Sequence, residues 1–204
     1  MKVIIFGATG KTGQHTWRQA LEQGHEVTVF VRSPQKIESD DAKLRIVQGD
    51  VFDADAVADA VAGHDAAIVA LGSIGLRDKT TLTTGTKNVV EGMIRHNVKR
   101  LVAVSAAGVG ESWSQIPWMP RLLFLTMLRN VYADHETQEA VVTASALDWT
   151  LVRAAILKDE PASGSYTATN TGKITQINRA DLADFLIKQV TDDTYLQQAI
   201  SITS

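Results

Sequence analysis

The chain has 204 residues, 45% of them hydrophobic, and a formal net charge of −3; that is enough apolar material for one packed domain and presents no basic field to nucleic acid or an anionic membrane. There is no cysteine, which excludes disulfides, thiolate metal sites and a cysteine nucleophile, and the five histidines show none of the spacings of a metal site. No apolar run approaches the roughly 18 residues that span a bilayer, and no basic, cleavable leader precedes the first strand, so a cytoplasmic protein is expected.

The first apolar run, Val3-Ile4-Ile5-Phe6, is too short for anything but a buried strand. It enters Gly7-Ala8-Thr9-Gly10-Lys11-Thr12-Gly13 and then an amphipathic stretch over 14–23. Strand, glycine turn and helix come in the order a dinucleotide site requires. One glycine permits the tight turn, the next lets backbone approach a pyrophosphate, and the third lets the helix pack on the strand while its first N–H groups face the anion. Gly7, Thr9, Gly10, Lys11, Thr12 and Gly13 are therefore candidate cofactor residues. Gly24 closes the helix, and 26–31 carries the β-branched alternation of a second strand. Arg32-Ser33 follows where an NAD-binding protein places a carboxylate on the adenosine ribose. A guanidinium and a hydroxyl at that point suit a 2′-phosphate instead, which predicts NADP(H) as the cofactor.

Residues 44–48 read as a third strand, Gly49-Asp50-Val51 as its turn, and Asp53 as the cap of an alanine-rich helix to about residue 62. Asp50 either serves the site or only caps its own turn. The continuous apolar run over 65–71 marks a central parallel strand. It ends in Leu71-Gly72-Ser73, where small residues let a cofactor backbone lie close. A helix over 82–96 leads to a fifth strand at 101–104, which delivers Ser105-Ala106-Ala107-Gly108; Ser105 either faces a ligand or satisfies its own turn. The loop over 110–119 holds Trp113, Ile116, Pro117, Trp118 and Met119, more apolar surface than a solvated connection carries. Trp113 and Trp118 could wall a pocket for a planar substrate, pack into the core or make a dimer contact. The subunit is expected as a monomer, with a dimer through this loop as the alternative.

Helical segments follow over 122–128 and from 132 to 144, then a sixth strand at 147–153 that ends on Arg153. Short strands are expected at 166–169 and 173–176, a helix capped by Asn178, and an edge strand at 199–203. Strand and helix alternating through parallel crossovers give a single-domain, doubly wound α/β sheet. Its ligands belong at the carboxyl ends of the strands, where Gly7, Arg32, Asp50, Leu71, Ser105 and Arg153 all fall.

Taken together, the G-x-x-G-x-x-G turn, Gly24-His25-Glu26-Val27-Thr28, Val31-Arg32, Gly49-Asp50-Val51, Ala70-Leu71-Gly72, Gly85-Thr86-Lys87-Asn88, Ser105-Ala106, Asp134-His135 and Gly164-Ser165-Tyr166 resemble the atypical short-chain dehydrogenase/reductases. Within that group the chain is similar to the flavin reductase and biliverdin reductase B-like proteins. The resemblance implies a single NAD(P)-binding Rossmann domain, with Asp50 and Val51 at the adenine and Ser105, the one catalytic candidate, facing the nicotinamide. It further implies hydride transfer to a small planar conjugated acceptor such as flavin.

Two departures qualify this. The Tyr-x-x-x-Lys pair of the classical reductases is absent, since Tyr132 is followed four residues on by Glu136. Arg153-Ala154-Ala155 stands where the flavin reductase-like proteins commonly bear a histidine, and it looks more like the Arg-Pro-Gly turn of NmrA-like proteins. A dinucleotide-binding sensor without turnover is therefore the rival expectation. A sugar epimerase is disfavoured because it too needs the missing pair.

Overall fold

The computed structural model describes residues 1–76, 78–116 and 126–204. A parallel sheet grows outward from β1 (Lys2–Phe6), with β2 (Glu26–Val31) and β3 (Leu44–Gln48) on one side and β4 (Ala66–Val69), β5 (Arg100–Ala106) and β6 (Asp148–Ala154) on the other. Beyond β6 come β10 (Gln198–Thr203), parallel to it, and β8 (Thr167–Thr169), antiparallel to β10. The order β3-β2-β1-β4-β5-β6-β10-β8 reverses direction between β1 and β4, which is where an open α/β sheet leaves a crevice for a ligand. The expected doubly wound Rossmann fold is what forms.

Both faces are covered, which is why the central strands are continuous apolar runs. Val3 and Ile5 of β1 pack in one core with Trp17 and Ala20 of α1 (Lys11–Glu22) and Leu182 and Phe185 of α5 (Arg179–Lys188). Ile4 and Phe6 face the other core, with Val57 of α2 (Ala54–Val61), Met93 of α3 (Thr81–Arg95) and Val142 of α4 (Arg129–Thr143). The helix ends follow local chemistry. Asp53 accepts from the Ala56 amide at 3.1 Å, and α1 closes with Gly24 N–H on the Leu21 carbonyl and His25 N–H on that of Ala20. The start of α3 is capped from a distance: the fully buried Asp134 of α4 accepts from the amides of Leu82 (2.9 Å) and Thr83 (3.0 Å) and from the Thr83 hydroxyl.

Two expectations are corrected. The last strand is not an edge, because Ile200, Ser201 and Ile202 are all buried between β6 and β8, and the three-residue β8 that covers them is too short to carry a pattern of its own. The sheet is mainly parallel, as expected, with β8 antiparallel to β10 at its far end. The second short strand lies at β9 (Gln176–Asn178), not 173–176, where it pairs with β7 (Ile156–Lys158), a strand that has no sequence signal. In addition α1 starts at Lys11, three residues earlier than its apolar pattern, because the Gly10 carbonyl already accepts from the Gln14 amide.

Asp134→Ala should cost about 1–3 kcal/mol of stability, because it strands buried donors at the start of α3. Urea unfolding of the variant against wild type measures this; an unchanged midpoint would show that water replaces the carboxylate.

Candidate active site

The glycine turn sits at the crevice. Gly7 has φ 84°, and a Cβ there would lie 2.2 Å from the Ala70 carbonyl oxygen, so neither its dihedral nor its surroundings admit a side chain. At Gly13 a Cβ would meet the Gly7 carbonyl oxygen at 2.2 Å, so the helix packs directly on the turn. Gly10 differs: its Cβ would touch only the Gly7 oxygen, at 3.2 Å, and its other side is open to a ligand. No side chain caps α1, which leaves the amides of Lys11, Thr12 and Gly13 to bind an anion. These residues fit a pyrophosphate.

Arg32 and Ser33 follow β2 at the same edge. Arg32 is exposed, and among the described residues no carboxylate pairs with it. Asp50 spends one carboxylate oxygen on its own turn, accepting from the Phe52 amide at 3.1 Å. The Val51 carbonyl accepts from the Asn88 side chain at 2.8 Å, so α3 fixes this corner.

From the turn a cavity of about 710 Å³ runs along the carboxyl ends of β4, β5 and β6. Gly10, Lys11, Thr12, Leu71, Gly72 and Ser105 line it among the expected residues, joined by Ile116, Val131, Tyr132, His135 and Ile174. Trp113 lies in a 3-10 turn, Gly110–Gln115, and is not among the described residues that line the cavity. Trp118 lies outside the described residues.

Ser105 and Arg153, paired across β5 and β6, both reach the same buried carboxylate. The Ser105 hydroxyl donates to Glu139 Oε1 at 2.7 Å, while Arg153 grips Glu139 through Nε (3.0 Å) and Nη2 (2.7 Å) and donates to Glu111 through Nη1 at 2.9 Å. A bidentate pair of this kind satisfies both charges where water cannot. Arg153 thus serves the packing of α4 on the sheet, and it is not among the residues that line the cavity. Ser105 keeps a place in the cavity wall, but its proton is committed to Glu139; toward a ligand it can accept a hydrogen bond and cannot supply a proton.

Two cavity residues carried no sequence assignment. The Tyr132 hydroxyl donates to the Ala107 carbonyl at 2.8 Å, and burial pushes its pKa well above the ordinary range. The Lys188 Nζ contact on the Tyr166 hydroxyl, at 3.1 Å, involves residues that do not line the cavity. His135 is oriented by a chain of hydrogen bonds. Gln138 Nε2 donates to the Thr86 hydroxyl at 3.0 Å, which turns the Gln138 amide oxygen to His135 Nδ1, also at 3.0 Å. Nδ1 therefore carries the proton, and Nε2 is left as an unprotonated acceptor. Burial lowers the His135 pKa, so the ring is neutral. Among the described residues no cluster of three His, Asp or Glu could hold a metal ion, and no helix is long and apolar enough to cross a membrane.

Residues 7–193 match the model of an NAD(P)H-binding family. The chain belongs to that family. It is 27% identical to an uncharacterised sugar epimerase, YhfK, of Bacillus subtilis, over its whole length and 94% of that protein. It is 30% identical to an uncharacterised chloroplastic protein of Arabidopsis thaliana over 80% of this chain, which spans 62% of that relative's length. In fold it matches a short-chain dehydrogenase/reductase of Veillonella parvula solved in complex with NADP, with a TM-score of 0.85 at 19% identity over 100% of this chain and 94% of that one. It also matches ChuY, an anaerobillin reductase of Escherichia coli, with a TM-score of 0.83 at 22% identity over 100% and 97%. The expected NAD(P)-binding Rossmann family is borne out, and the likeness to a short-chain dehydrogenase/reductase is one of fold.

Three partly buried histidines give the fold a pH signature. Burial lowers the pKa of His135, His64 and His25 below their ordinary value of 6.5. As pH falls below about 6.5 the unfolded chain takes up protons that the folded one resists, so this stability is complete above that pH and is lost toward the folded values. The urea midpoint should be flat near pH 7.5 and lower near pH 5.5, and His135→Gln should lessen the drop. A drop of undiminished size in the variant would take His135 out of the account.

Proposed function

We propose that the protein is an NADPH-dependent reductase that passes hydride to a planar conjugated acceptor, flavin foremost. The cavity carries this reading: it is of a size for a nicotinamide and a flat ring together, largely apolar, and continuous with the glycine turn. When bound, the cofactor supplies the hydride. The chain's own residues bind and orient. The start of α1 holds the pyrophosphate, Arg32 and Ser33 the 2′-phosphate, and Asp50 and Val51 flank the adenine. Leu71 and Gly72 provide a flat edge at the end of β4, and Ser105 accepts a hydrogen bond from the carboxamide. His135 Nε2 accepts an N–H of the acceptor ring, such as a flavin imide.

The chemistry favours such an acceptor because the proton is hard to find elsewhere. Alcohol–ketone and epimerase chemistry relies on a positioned acid or base for about 10²–10⁴ of rate, whereas Tyr132 holds its proton on the Ala107 carbonyl. An electron-poor conjugated ring takes the hydride and draws its proton from water. Mixing the protein with NADPH and FMN or riboflavin should give steady loss of reduced-nicotinamide absorbance. Tight NADPH binding without oxidation on flavins, quinones and tetrapyrroles would favour the sensor instead.

Tyr132→Phe should lower turnover less than about tenfold, against the 10²–10⁴ expected of a catalytic acid. A larger loss with NADPH affinity unchanged would restore Tyr132 as the proton donor.

The cofactor preference should rest on Arg32. A charge-assisted hydrogen bond to the 2′-phosphate is worth about 1.5–3 kcal/mol net, or roughly 10–150-fold. Arg32→Ala should erode the preference for NADPH over NADH by that range, and less at high salt; Arg32→Asp should favour NADH. Isothermal titration of both cofactors decides, and equal wild-type affinities would leave Arg32 a solvated strand end.

A further inference from the structure

One charged cluster is left unused by this account. Asp159, in the segment after β7, accepts at once from Lys11 Nζ, on the first residue of α1, and from Arg179 Nη1, on the first residue of α5. Both cations line the cavity and Asp159 does not. Two positive side chains thus share one carboxylate, so the cluster keeps a net positive charge at the cavity rim. The hydrogen bond from Lys11, with Arg179 beside it, holds the Asp159 carboxyl below its ordinary pKa, so the carboxylate is charged at neutral pH.

The exposures are unequal in an informative way. The Arg179 side chain is only 19% exposed, while those of Lys11 and Asp159 are 69% and 52% exposed. Arg179 is therefore held in place, with Asp159 as a partner that can swing away into solvent. Thr175 and Gln176, just before Arg179 in the chain, extend this polar wall, whereas Ile116 and Val131 give the cavity its apolar one. A cavity with one apolar wall and one cationic corner suits a flat ring that carries an acid.

We propose that Arg179, with Lys11, forms an anion subsite that selects acceptors bearing a phosphate or carboxylate side chain, and that Asp159 occupies it until such a group arrives. The inference rests on the reductase reading for its ligand class. On binding, one ion pair replaces another, so Arg179 is never left half-buried without a partner. Asp159 then repels the incoming anion until it moves aside, and removing its charge strengthens binding.

The test is a flavin-fluorescence titration of the NADP⁺-loaded protein with FMN, which carries a phosphate, and riboflavin, which does not. Wild type should bind FMN about tenfold or more tighter than riboflavin. Arg179→Gln should bring the two within about threefold, and Asp159→Asn should widen the gap. The Asp159→Asn arm predicts a gain, which a merely destabilised protein does not produce. Equal wild-type affinities, or a gap that neither variant moves, would overturn the subsite. So would an Arg179→Gln variant that loses NADP⁺ affinity and keeps the FMN preference, since Arg179 would then belong to the cofactor. Failure of the reductase reading shows separately, as an FMN preference in binding with no oxidation of NADPH.

Discussion

The carbonyl of Ala70 lies where a side chain at position 7 would have to be, and the rest of the site depends on that contact. β1 and β4 are neighbours whose ends are level, with Phe6 opposite Val69. The chain leaving β1 must therefore turn at once against the end of β4, through a left-handed dihedral that only glycine adopts without strain. That turn places α1 with its first amides over the crevice. Gly13 then lets the helix rest on the Gly7 carbonyl, so the first turn of α1 is set by backbone contacts and not by a flexible side chain.

A second constraint holds the other half of the cavity. Glu139 is buried, and its two oxygens are taken by Ser105 from β5 and by Arg153 from β6. This pins α4 across two strands, and with it the side chains of Tyr132 and His135 on the cavity wall. Asp134, one residue before His135, is tied to the start of α3. Neighbouring residues of one helix thus serve as a cap for α3, as a cavity acceptor and as the anchor of an ion pair. Buried charges are costly unless fully partnered; here each has partners from a separate element, so the groups fix how those elements meet.

The electrostatics of the crevice follow from these anchors. Lys11 and Arg179 put positive charge on the crevice wall, and Arg32 follows β2 on the same edge of the sheet. Tyr132 gives its proton to a backbone carbonyl and His135 presents a lone pair. Such a wall can hold and orient a ligand.

The sequence by itself determined the strand–turn–helix opening, strands β2 and β3 to the residue, the caps at Asp53 and Gly24, and the parallel doubly wound sheet. These depend on local periodicity, on the conformational range of glycine and on short-range hydrogen bonds, all of which a linear reading contains. Tertiary structure alone decided that the last strand is internal, that β7 pairs with β9, and that Arg153 turns to Glu139 and not to the cavity. Each depends on a partner far along the chain: β10 needs the three residues of β8, and Arg153 and Ser105 need Glu139 from α4. His135 stood in a motif, but its protonation was set by Gln138 and Thr86, on two different helices. The trio of Lys11, Asp159 and Arg179 spans nearly the whole chain, and nothing local marks its members as neighbours, because only the packing of α1 against α5 brings them together.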